Sequence, residues 1–88
     1  MGPVGLEPEE RQMWFGYAEA FFREHENALY QFETGLFSED EFAGRIENIR
    51  QVMTGRAAFR SHWKGRRDVF SPGLQAEIDS LLMEAEPR

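Results

Sequence analysis

The stretch "FFREHENALYQF", residues 21–32, sets five consecutive polar residues, Arg23 to Asn27, inside an aromatic-rich helical pattern. Apolar residues recurring at helical spacing on either side argue for one continuous helix rather than two. Upstream, Pro8 suits a first helical position, with Glu9 and Glu10 beside the positive end of the helix dipole. Downstream, Gly35 can take the left-handed conformation that stops a helix. The pattern therefore predicts a first helix from Pro8 to about Thr34. At 1.5 Å per residue it spans about 40 Å, against a radius of gyration of about 12 Å for a compact chain of this length.

Three shorter helices follow. In "FSEDEF", residues 37–42, Ser38 caps a second helix and Glu41 completes a capping box, with Phe37 placed to close on Phe42 as a hydrophobic staple. That helix carries Phe42, Ile46, Ile49 and Met53 as a narrow apolar stripe and ends near Thr54-Gly55. A third, residues 56–67, presents Phe59 and Trp63 on one side. "FSPG" then breaks the chain, with Ser71 as cap and Pro72 opening a fourth helix whose apolar face is Leu74, Ile78, Leu81, Leu82 and Ala85. The expectation is an all-α, four-helix single domain over 8–85, a long first helix carrying three shorter ones, with residues 1–7 and 86–88 as flexible ends.

Composition narrows the function classes. Eighty-eight residues make one domain, and with no cysteine neither a disulfide framework nor a thiolate metal site is available. Stability must come from packing of the aromatic residues, 14% of the chain. A mean hydropathy of -0.60 and the lack of a long apolar run exclude a membrane-spanning helix, and the first ten residues do not read as a signal peptide. A cytoplasmic location is the simplest expectation. The charge is uneven: residues 1–54 hold eleven acids and four bases, and residues 55–70 hold Arg56, Arg60, Lys64, Arg66 and Arg67 against Asp68 alone. Such a basic segment either pairs internally or offers itself to an anion.

Residues Phe21, Phe22, Glu26, Asn27, Tyr30, Gln31, Gly35, Trp63, Arg66, Arg67, Phe70, Ser71 and Pro72 together resemble the C-terminal helical domain of a family of uncharacterised bacterial proteins. The resemblance covers roughly residues 9 to 84. It implies a helical domain that often follows a membrane helix and linker, so this chain reads as the soluble module alone. It implies no activity. Where the family tends to have Trp-Trp this sequence has His62-Trp63, and His25 stands at a position often aromatic there.

Within the polar turn, His25 falls beside Ala18 on the buried side, which suits a flat core filler with one hydrogen bond. Glu26 lies at the core border, where an unpaired carboxylate is expensive. Arg66 and Arg67 are the expected cations, making a bidentate clasp between the first and third helices. The functional alternative is a small polar pocket of Glu26, Asn27, Gln31 and an arginine, serving a small-ligand sensor. The histidines His25 and His62 lack metal-ligand spacing, Ser38 and Ser71 are explained as caps, and no cofactor or metal is expected.

For Arg56, Arg60, Lys64, Arg66 and Arg67, the simplest expectation is that they face the acidic first helix. An anionic membrane surface comes next, and nucleic acid read by helix 56–67 last, since a sequence pI near 4.9 opposes it. Trp14, Phe15 and Tyr17 lie on different sides of the first helix, more apolar cover than one bundle face needs. The expected role is thus a non-catalytic interaction module with a protein partner or a homodimer packed along that helix, the alternative being a nucleic-acid-binding regulator using helix 56–67 and the third a small-ligand sensor around Glu26.

Overall fold

A computed structural model describes residues 7–86 as an all-α domain. Four helices, α1 (Pro8–Glu33), α2 (Glu39–Gly55), α3 (Ala57–Arg66) and α4 (Pro72–Ala85), follow in order, with a single 3-10 turn at Arg67–Val69 between α3 and α4. Residues 1–6 and 87–88, most of the expected flexible ends, lie outside the described residues. Glu7 caps α1 in a capping box with Glu10, and Glu86 is ion-paired to Arg60 and Lys64.

The helix boundaries follow from local chemistry. At the end of α1, Gly35 takes φ 84°, the Gly35 N–H donates to the carbonyl of Phe32 at 3.1 Å, and the Leu36 N–H donates to that of Gln31 at 2.7 Å. This is a Schellman closure, which needs a residue free to adopt positive φ. Ser38 and Glu41 form the reciprocal capping box of α2 at 3.1 and 2.9 Å. The expected staple is different: the ring partner of Phe42 is Phe32, stacked at 4.3 Å, and Phe37 lies under the Arg45 guanidinium. Stacking on α1 buries Phe42 against an element that the local staple cannot reach. Ser71 caps α4 through the Leu74 N–H.

The core forms where α2, α3 and α4 meet one side of α1. Ala18, Phe22, Leu29, Ile49, Met53, Phe59, Trp63, Phe70, Leu74, Ile78 and Leu81 make one buried cluster. Phe22 and Trp63 sit at its centre, 5.0 Å between ring centroids, with Phe70 5.4 Å from Trp63. Burial of these large rings supplies most of the stabilisation a chain of this size can gather. α1 contributes no buried residue before Ala18. Its 26 residues, about 39 Å long, nearly match the longest dimension of the molecule, 42 Å. Its start, up to Met13, runs past the helices that cover the rest, and contact with α3 begins at Trp14 and Phe15.

Candidate functional site

Three polar ties converge on the connection between α3 and α4. Glu19 projects from α1 toward the end of α3, where Arg66 grips it as a fork: Nε donates to Oε2 at 3.0 Å and Nη2 to Oε1 at 3.2 Å. His62 Nε2 lies 3.3 Å from the same Oε2. One residue further, Arg67 forks onto Asp79 of α4, with Nε 3.2 Å from Oδ1 and Nη2 on Oδ2. Trp63 Nε1 donates to Asp79 Oδ1 at 2.8 Å, so the central core ring is also held by its polar edge. The third tie is Glu26, whose Oε2 accepts the backbone N–H of Ser71 at 2.6 Å. Its Oε1 accepts from Arg23 Nη1 at 3.0 Å, and the Arg23 guanidinium lies 4.4 Å from the centre of the Phe70 ring.

This corrects the expected clasp. Glu26 does join α1 to the far side of the bundle, but its partners are Arg23 and the Ser71 amide; Arg66 and Arg67 are taken by Glu19 and Asp79. The reason lies in α4. A capping box needs an acceptor three residues after the cap, and that residue is Leu74. Glu26 supplies the missing carboxylate from another helix. Asn27 is exposed and Gln31 partly so, and neither side chain enters these hydrogen bonds.

The electrostatics favour fixed charges. The Arg66 fork holds the Glu19 carboxyl below its ordinary range against the opposing effect of burial, with His62 adding to Arg66. The Arg67 fork does the same for Asp79. A carboxylate held low is a weak general base, so these groups are suited to bracing rather than to proton transfer. His25 is buried, and its Nε2 has no hydrogen-bond partner among the described residues, so the hydrogen bond expected of it is missing there. Phe21 packs on its ring at 4.6 Å, and burial pushes its pKa down. Among the described residues no three His, Asp or Glu side chains gather as a metal site. No helix in the same range is long and apolar enough to cross a membrane.

The basic row is also rearranged from expectation. Only Arg66 faces α1 through a carboxylate. Arg60 and Lys64 reach Glu86 at 2.9 and 2.7 Å, and Arg67 reaches Asp79 and Asp68. Arg60 Nη1 also donates to the carbonyl of Met53 at 2.7 Å, placing a cation at the negative end of α2. Arg56 is different. It is exposed, stands over the Phe59 ring at 5.7 Å, and makes no ion pair among the described residues.

Sequence reasoning missed Glu19 and Asp79. For Glu19 a signal existed: it is the single charge between Gln12 and Phe22. A lone charge in a run that apolar needs a partner. Asp79, between Ile78 and Ser80 and one turn from Leu82 on a largely apolar helix, carried a weaker form of the same signal.

Exposed apolar side chains on the N-terminal half of α1 are Met13, Phe15 and Tyr17, with Tyr30, Leu36, Val69 and Met83 exposed elsewhere on the domain. Met13 is 75% exposed, on the side away from the core, and Tyr17 59%, at the edge where it borders Phe59, while Phe15 is exposed on the other flank and packs against His62 and Arg66. Trp14 and Tyr17 border Phe59 at 4.9 and 6.0 Å, next to Arg56. Comparison with protein-family models, with curated proteins and with solved structures gives no match for this chain.

Proposed function

We propose that this chain is a non-catalytic helical interaction module that docks through the exposed half of α1. The observation that carries this reading is the run Gln12–Phe22, which is apolar around the whole circumference of the helix apart from Glu19. A helix apolar on all sides is normally buried on all sides. Here the other helices cover one side only, and Met13, Phe15 and Tyr17 remain exposed. The Glu19–Arg66 and Asp79–Arg67 forks add support in the same direction, because they engage these charges in bracing the fold. Four of the five bases in 56–67 face carboxylates of this chain, which lends little to a nucleic-acid or anionic-lipid partner.

A tagged chain should retain a protein partner, either an untagged second copy or another chain. Met13→Glu combined with Tyr17→Glu should abolish retention and leave the circular dichroism and melting curve unchanged, since both side chains are exposed. Retention by the double variant equal to that by the parent, or no retention by the parent, would overturn the proposal.

A further inference from the structure

Building on the interaction-module reading, we infer that the occupant of this face is a second copy of the chain, its α1 packed antiparallel across the first and crossing near Met13. Three observations converge on self-pairing. The outward stripe of α1 is Glu9, Met13, Gly16 and Ala20, with Tyr17 on its shoulder. Beside the long side chains of Met13 and Tyr17 the surface steps down along Gly16 and Ala20, which are small; a Cβ built on Gly16 meets nothing within 4 Å. A knob of one helix can therefore enter the step of its twin, as a two-fold interface requires.

Charge gives the register. Arg56 has no carboxylate partner among the described residues and stands beside Phe59, at the level of Trp14 and Tyr17. In the first turn of α1, Glu7 and Glu10 are engaged in their own capping box, whereas Glu9 has no side-chain hydrogen bond or ion pair among the described residues and lies on the outward stripe. An antiparallel crossing centred on Met13 brings the second copy's Glu9 to the level of Tyr17, beside Arg56. Two-fold symmetry makes that pair twice. Among the described residues, a cation and an anion without an ion pair thus stand at positions that this crossing brings together.

Area sets the strength. Met13, Tyr17, the small step and the open edge of Trp14 offer roughly half of the about 800 Å² per partner of a standard interface. A dimer on a face of that size belongs to the weak, transient class.

Sedimentation velocity of the full chain over a concentration series tests this. The native chain should pass from monomer to dimer as concentration rises. Gly16→Leu should stay monomeric and melt no lower than the parent, because a Cβ at this position meets nothing in the monomer while the longer side chain fills the step. Arg56→Glu and Glu9→Arg should each weaken pairing by about tenfold, from two rim ion pairs. The two together should restore it. A dimer that survives Gly16→Leu, or a charge exchange that fails to recover pairing, overturns the antiparallel register. A native chain monomeric at every concentration overturns self-pairing altogether. In that case, capture of a different protein, lost in the Met13→Glu and Tyr17→Glu double variant, leaves the interaction-module reading standing; with no such capture, both fall.

Discussion

The Glu26 carboxylate accepts the backbone N–H of Ser71 at 2.6 Å, so one helix finishes the cap of another. α4 carries its own serine cap but has Leu74 where a capping box would place a carboxylate. Losing the Glu26 contact strands a partly buried amide. Glu26→Ala is expected to cost about 1–2 kcal/mol by chemical denaturation. Ser71→Ala is expected to cost about 1 kcal/mol. Because Ser71→Ala leaves the backbone N–H in place, the two losses should add within about 0.5 kcal/mol. Strong coupling between them would mean that Glu26 acts through the Ser71 hydroxyl, against the geometry.

The fork between Glu19 and Arg66 makes a contrasting case. Both side chains belong to one pair, so removing the second after the first removes little more. Arg66→Ala and Glu19→Ala should each lower the melting temperature, and the double variant should melt no lower than the worse single one. Arg66→Ala combined with Glu26→Ala should be additive, since the two residues share no partner. Coupling between Arg66 and Glu26 in thermal melts would restore the clasp that the spacing first suggested.

Why the helices were legible and the ties were not comes down to the range of the information. Ser38 with Glu41, Gly35 at the end of α1, and Pro72 after Ser71 are local signals, each acting over three or four residues, and each marks the boundary it encodes. The partner of Glu26 depends on how α3 turns into α4. There, a 3-10 turn at Arg67–Val69 points Arg66 toward α1 and Arg67 toward Asp79. No residue spacing records that turn. A backbone amide is also invisible as a residue type, so the nearest arginines were the natural but wrong choice. Glu19 was accessible in principle, as a lone charge in the apolar run of α1, and Arg56 stands out only once its neighbours are seen to be paired.

Two glycines separate backbone strain from side-chain room. Around both Gly16 and Gly35 a Cβ would meet nothing within 4 Å. Gly16 lies within α1, where glycine costs helix stability relative to alanine, so Gly16→Ala should stabilise the monomer by about 0.5–1 kcal/mol. Gly35 sits at φ 84° in the Schellman closure, and Gly35→Ala should destabilise by roughly 1–2 kcal/mol. Urea titrations read both. Opposite signs at equal space are the expected result, and a loss at Gly16 would show that its surroundings are already filled in the monomer.

His25 links burial to pH. Burial holds its pKa below the ordinary 6.5, Arg45 of α2 adds to that effect, and Glu24 of α1 opposes it. The unfolded chain therefore takes up a proton on this ring at a higher pH than the folded chain does. Stability from this residue is complete above about pH 6.5 and declines as the pH falls through the interval between the unfolded and folded values. His25→Phe keeps a flat ring and removes both the titration and the unpartnered Nε2, so its stability should vary less between pH 7 and pH 5 than that of the parent. Glu19 and Asp79 act lower, because their pKa values are depressed from 4.5 and 3.8; their contribution is present above those values and lost as pH falls below them. Denaturant midpoints measured at steps from pH 7 to pH 3 should thus show two separate declines in the parent and only the lower one in His25→Phe. An upper decline of equal size in both would place the titrating group elsewhere than the buried ring of α1.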